Sequence, residues 1–172
     1  MRSTGDDPYM DSSIEVKELS QKQAEAVVES AAVSNSRYVK EQFTKHFKYE
    51  NSLRWLCLYD SNVPKAMCVL ELDYPVGSYV FINGIQSFES GKRYGKLLLE
   101  HVFSKHKYAW LMADITQADT LLSFYRSLGL KECTAYAECW KKTAHMFTAN
   151  CSLDVISEEV RRGTAGEGDS SR

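Results

Sequence analysis

The sequence has no Cys-x-x-Cys pair, and its five cysteines, Cys57, Cys68, Cys133, Cys139 and Cys151, are odd in number. A structural zinc site or a disulfide framework is therefore not expected. A free thiol inside an apolar run packs instead as a small hydrophobe. No apolar run approaches the length that crosses a bilayer. The N-terminus is polar and acidic, unlike a secretory leader, so a cytoplasmic location and no membrane partner are expected. An excess of charge is also missing: 21 Lys and Arg against 23 Asp and Glu leave a formal net charge of -2. Nothing global draws the chain to nucleic acid, which is not an expected partner. No internal repeat is visible. The histidines His46, His101, His106 and His145 are scattered, with no spacing that assembles a Ser-His-Asp or Cys-His arrangement or a metal cluster.

What is present fits one globular domain of 172 residues, with 26% charged and 12% aromatic residues. Residues 1–12 are small and polar and are expected to be disordered, as is the Gly-, Ser-, Glu- and Arg-rich tail 157–172. Between them, residues 13–150 form the folded domain. Strands are expected at Ile14–Leu19, Leu53–Tyr59, Lys65–Tyr74, Ser78–Gln86, Ala109–Ile115, Lys131–Ala137 and Cys139–Thr148. Helices are expected at Gln21–Ser34, Tyr38–Lys48, Lys92–His106 and Gln117–Leu128, the last stopped by Gly129. Asp60-Ser61-Asn62 reads as a hairpin turn. The order predicts an α/β (α+β) fold: a mixed, mostly antiparallel central sheet flanked by helices, with the fourth and fifth strands parallel.

The run Gly91-Lys92-Arg93-Tyr94-Gly95-Lys96 falls between the fourth strand and the helix that follows it. A helix start offers unpaired N–H groups and the positive end of the helix dipole, and three cations add charge there. Phosphate or pyrophosphate is the natural ligand. A plain turn with a solvated first helical turn is the alternative. The spacing fits neither a Walker loop nor the dinucleotide fingerprint.

The element order and two motifs resemble the GNAT superfamily of acyl-CoA N-acyltransferases. The first motif is a strand, then Gln/Arg-x-x-Gly-x-Gly/Ala, then a helix; it corresponds here to Phe81–Gln86 followed by Ser90-Gly91-Lys92-Arg93-Tyr94-Gly95. The second is a helix ending in Phe-Tyr-x-x-x-Gly-Phe, corresponding to Phe124-Tyr125-Arg126-Ser127-Leu128-Gly129-Leu130. The resemblance spans Ile14 to Thr148. Ser90, Arg93 and Ala118 depart from the family pattern.

The resemblance implies acetyl-CoA as cofactor, lying where the fourth and fifth strands splay. Backbone groups near Ile85 and Ser87 would meet its pantetheine arm. Gly91, Lys92, Arg93, Tyr94, Gly95 and Lys96 would cradle the pyrophosphate, with Phe124 beside the cofactor. Tyr125 would protonate the leaving thiolate; a core tyrosine at helical spacing is the alternative. Glu71, Asp73 and Asp114 are candidate bases for the attacking amine. A small-molecule amine or a protein is the implied acceptor. Dimers are common in the family, although no residue here demonstrates one. The basic stretch Tyr38–Lys48 is either a solvated face or part of an acceptor pocket. A non-catalytic member of the same fold, binding a partner without transfer, is the second functional expectation.

Overall fold

The computed structural model describes residues 13–30, 37–48, 53–89, 93–114, 118–133 and 143–165. Its elements in chain order are β1 (Ile14–Leu19), α1 (Gln21–Glu29), α2 (Arg37–Thr44), β2 (Leu53–Asp60), β3 (Val63–Leu72) and β4 (Tyr79–Ser87). There follow α3 (Tyr94–Lys105), β5 (Tyr108–Asp114), α4 (Ala118–Ser127), β6 (Lys131–Cys133), β7 (Thr143–Phe147) and α5 (Leu153–Ala165). The strands form one sheet in the order β1-β2-β3-β4-β5-β7-β6. It is mostly antiparallel, and β4 runs parallel to β5, as expected from the sequence.

Two compact units make up the chain. The first comprises Met1–Glu71 and Asn83–Val102, the second Leu72–Ile82 and Phe103–Arg172. In the first, Ser20 caps α1 reciprocally: the Gln23 amide donates to Ser20 Oγ at 3.1 Å, and the Ser20 amide donates to Gln23 Oε1 at 2.8 Å. The helix buries Ala24, Val27 and Val28. These pack with Val39 and Phe43 of α2 and with Trp55, Cys57, Met67 and Val69 of β2 and β3. The hairpin between β2 and β3 turns at Ser61 and Asn62, whose φ values are 51 and 69. Two left-handed residues match a turn whose twist suits paired strands, and Asn tolerates that conformation.

In the second unit the core is aromatic. Tyr79, Phe81, Trp110, Phe147 and Ile156 are buried together, with Cys133 and Cys151 filling between them. Phe81 and Trp110 have ring centroids 4.3 Å apart, and Tyr74 stacks on Trp110 at 5.7 Å. Two of its rings engage their polar atoms: Trp110 Nε1 donates to the Tyr74 carbonyl at 2.9 Å, and the Tyr79 hydroxyl accepts from the Ser152 amide at 2.7 Å.

Several boundaries correct the sequence expectation. The tail from Ser157 is not structureless throughout, because α5 runs to Ala165. Ile156 is fully buried and Val155 packs beside it, while the Tyr74 hydroxyl hydrogen-bonds the Glu159 carboxylate. Val155, Ile156 and Glu159 thus tie down a segment of polar average composition. The helix expected to Ser34 ends at Glu29, where the Ser30 amide bonds back to the Val27 carbonyl. The helix expected over Tyr38–Lys48 ends at Thr44 and gives way to a turn. β6 and β7 are shorter than expected within the described residues, and the stretch expected to join them lies outside those residues. Residues 1–12 and 166–172 also lie outside them. Cys57, Cys68, Cys133 and Cys151 are free and buried. Burial pushes the Cys57 thiol up to about 12, so it is inert packing rather than a nucleophile.

Candidate functional site

β4 is nine residues long, and only its first four pair with β5: Tyr79↔Tyr108 to Ile82↔Leu111. The rest of the strand, Asn83–Ser87, is half-buried. Its end is fastened within the first unit. The Phe88 amide donates to the Lys65 carbonyl at 2.8 Å, and Ser87 Oγ donates to the Glu89 carbonyl at 2.7 Å. Lys65 Nζ meets Glu89 Oε1 at 2.5 Å.

The start of α3 is tied to the β2–β3 hairpin. Tyr94 donates its hydroxyl to Asp60 Oδ2 at 2.6 Å, and Ser13 donates to Asp60 Oδ1 at 2.7 Å. These two bonds hold the Asp60 carboxyl below its ordinary range. Reciprocally, the bond to Asp60 is the main cause that raises the Tyr94 phenol to about 12. Its side chain is thus an anchor, and its amide is what it can offer a ligand.

The Leu97 amide donates to the Arg93 carbonyl at 2.9 Å, which is the first bond of the helix. The amides of Tyr94, Gly95 and Lys96 precede it and have no acceptor within the helix. Arg93 and Lys96 are exposed. A Cβ on Gly95 would approach only Ser87 Cβ, at 3.9 Å, and no positive φ demands glycine there. Close packing among the described residues therefore does not explain Gly95, which is half-buried. Amides without a helical acceptor among the described residues, beside two exposed cations, would suit a diphosphate. Ser90, Gly91 and Lys92 lie outside the described residues.

Ile85 and Ser87 belong to the same unit as Arg93–Lys96, as does Glu71. Glu71 is half-buried near the end of β3, with Oε1 at 3.5 Å from Asn83 Nδ2. Asp73 is engaged elsewhere. At φ 57, its Oδ1 accepts from the Ser78 amide at 3.1 Å and closes the turn before β4. Asp114 is the last residue of β5, in register with Thr143, and its side chain lies outside what is described.

Phe124 and Tyr125 sit in the last turn of α4, in the second unit. Tyr125 is buried, and burial raises its phenol pKa. The helix stops as expected at Gly129, whose φ is +90. The Leu130 amide bonds the Tyr125 carbonyl at 3.2 Å and the Gly129 amide bonds the Arg126 carbonyl at 2.9 Å. This paired closure fixes the backbone that carries Tyr125.

The histidines proved less alike than their scatter suggested. His101 and His106 are half-buried. His145 is buried against Trp110, at a ring distance of 6.0 Å, and burial lowers its pKa to about 4. His46 lies in the turn after α2 and is half-buried, with its pKa also lowered to about 4, by burial first and Lys45 second. Its spacing from Phe43, three residues on, was a sequence signal that it lies on the apolar side. Among the described residues no cluster of three His, Cys, Asp or Glu is placed to hold a metal, and no helix is long and apolar enough to cross a membrane.

No protein-family model and no curated protein matches the sequence. Solved structures do match the fold. One is the PaiA N-acetyltransferase from Thermoplasma acidophilum in complex with coenzyme A, 16% identical, with a TM-score of 0.57 and coverage of 79% of this chain and 98% of that one. Another is a Bacteroides thetaiotaomicron protein assigned to the GNAT family of acetyltransferases, 13% identical, with a TM-score of 0.63 and coverage of 88% and 96%. A third is the ribosomal-protein-S18-alanine N-acetyltransferase from Escherichia coli, 14% identical, with a TM-score of 0.55 and coverage of 78% and 90%. At these identities the likeness is one of fold, and the fold is that of the GNAT acetyltransferases.

Proposed function

We propose that this chain is an acetyl-CoA-dependent N-acetyltransferase that passes the acetyl group directly to an amine. The observation that carries the proposal is the start of α3. Among the described residues, amides from Tyr94 to Lys96 lack helical acceptors, Arg93 and Lys96 flank them, and a Cβ at Gly95 would meet only Ser87, at 3.9 Å. Such a helix start would suit a diphosphate. It follows a strand, β4, only part of whose length pairs with β5, in a fold shared with a coenzyme A-bound N-acetyltransferase.

Bound acetyl-CoA supplies an acetyl thioester already activated toward amines. Backbone groups at Ile85 and Ser87 would hold the pantetheine amides, and Gly91, Lys92, Arg93, Tyr94, Gly95 and Lys96 the pyrophosphate. Phe124 would contact the cofactor. The Tyr125 hydroxyl would give its proton to the departing sulfur; its raised pKa keeps it protonated for that purpose. Glu71 and Asp114 remain carboxylate candidates for the amine proton. The acceptor class is a small amine or a protein amine.

A second reading, binding without transfer, draws on Ser90, Arg93 and Ala118, where the sequence departs from the family pattern. A screen of amine acceptors with acetyl-CoA and thiol-release detection separates the two. Amine-dependent thiol release supports transfer. Binding of acetyl-CoA with no release above hydrolysis across polyamines, lysine side chains and peptide α-amines supports the non-catalytic reading.

A further inference from the structure

β1 is an outer strand of the sheet, and among the described residues its strand neighbour is β2 alone. The two run antiparallel from Ile14↔Asp60 to Leu19↔Trp55 without a register shift. The Ser61 amide donates to the Ser13 carbonyl at 2.9 Å. These residues are directly opposed in the same register, so they occupy a hydrogen-bonding position of the ladder. The alternation along an antiparallel pair then turns the backbone groups of Glu15, Lys17 and Leu19 toward β2. Those of Ile14, Val16 and Glu18 point outward. Such an outward row is a template for a further strand.

Proteins close such edges with proline, a bulge or repelling charges. β1 reads IEVKEL, with no proline, and it has no bulge against β2. Its charges do not repel. Glu15 and Lys17 are exposed on one face of the strand, one on either side of Val16. Their mutual ion pair is long, at 3.8 Å, and an exposed pair of this kind contributes little, so it is easily exchanged.

Opposite charges set symmetrically about Val16 make the strand complementary to itself. In an antiparallel pair of two copies centred on Val16, Val16 faces Val16, and Glu15 of each copy faces Lys17 of the other. Ile14 faces Glu18, whose charge is already met within its own copy by Arg54 Nη1 at 2.9 Å. Ile14, Val16 and Glu18 then sit at hydrogen-bonding positions, where their outward groups meet. Glu15 and Lys17 sit at the positions between, where opposed side chains come closest. Centring the pair one residue to either side sets Glu15 on Glu15 or Lys17 on Lys17, like charges directly opposed. Backbone phase admits the register about Val16, and charge selects it over its neighbours.

We propose that the outer edge of β1 is a homodimer interface, where a second copy of this chain pairs antiparallel about Val16 and continues the sheet across a two-fold axis. Each copy uses the same edge, so the assembly closes at two. The contact offers a six-residue strand from each side. An interface that small makes a weak dimer, populated at high protein concentration. The inference does not depend on the transferase reading.

The test is sedimentation equilibrium of the full chain from about 10 µM to about 1 mM, on wild type, Glu15→Lys, Lys17→Glu, and the two variants mixed in equal amounts. Each substitution alone opposes like charges in the self-pair. In the mixture every cation again faces an anion. Both positions are exposed, and thermal melts confirm that each variant folds. Wild type is expected to dimerise toward the upper concentrations, each variant alone to associate at least about tenfold more weakly, and the mixture to recover wild-type association. A wild-type chain that stays monomeric throughout overturns the inference. So do folded single variants that dimerise as wild type does, which would put the contact elsewhere, and a mixture that stays monomeric while wild type dimerises.

Discussion

Trp110, Tyr74 and Tyr79 in the second unit bury large rings, and their polar ends meet protein groups: the Tyr74 carbonyl, Glu159 and the Ser152 amide. In the first unit, Trp55, Phe43 and Phe47 bury comparable rings, yet the His46 Nε2 beside them has no hydrogen-bond partner among the described residues. The same unit begins α3 with amides that have no helical acceptor. Both units pack an aromatic core; the first also carries, at the start of α3, amides that have no acceptor within the helix among the described residues. Unengaged polar groups are where a ligand gains most, because binding supplies the partner that folding did not.

The contrast between the units is tested first at their cores. Phe43→Ala should cost about 3–5 kcal/mol and Ile156→Ala about 2–5 kcal/mol, read by urea denaturation. A cost near zero for Ile156→Ala would mean that α5 is not part of the second core. Next comes acid. His145 has a folded pKa of about 4 against an ordinary 6.5. As pH falls from 6.5 the unfolded chain takes up a proton that the folded chain refuses until about 4. Stability present above pH 6.5 is therefore lost across that window, on the order of 3 kcal/mol for this group. His145→Phe should flatten the acid limb relative to wild type, measured as unfolding free energy at pH 7 and pH 4.5.

Tyr125→Phe should lower kcat about a hundredfold while leaving the thermal midpoint unchanged. Intact turnover would make Tyr125 a core residue and nothing more. The smallest effects compare how the two units end their helices. Gly129→Ala forces a left-handed alanine and should cost about 1–2 kcal/mol. Ser20→Ala removes a capping box and should cost about 1 kcal/mol.

Local chemistry made much of this legible in sequence. Ser61-Asn62 announced a hairpin because few residues accept two left-handed positions, and Gly129 announced a helix stop for the same reason. Gly95 and the cations around it marked the helix start. What escaped depended on distant partners. Nothing near Tyr94 in sequence says that its hydroxyl will meet Asp60, because that contact needs the β2–β3 hairpin in place. His46 read as part of a solvated basic face until the Lys45–Lys48 turn folded it under, toward Gly84. α5 was hidden because composition averages over a window, whereas docking works through single residues: Val155 and Ile156 in the core and Glu159 bonded to Tyr74.

The proposed transfer would require a diphosphate-binding start of α3, and calorimetric titration of the chain with acetyl-CoA, repeated on Arg93→Ala, addresses it directly. Saturable binding that weakens severalfold in Arg93→Ala, and weakens further with added salt, is the predicted result. No heat and no thermal shift at millimolar acetyl-CoA would contradict it.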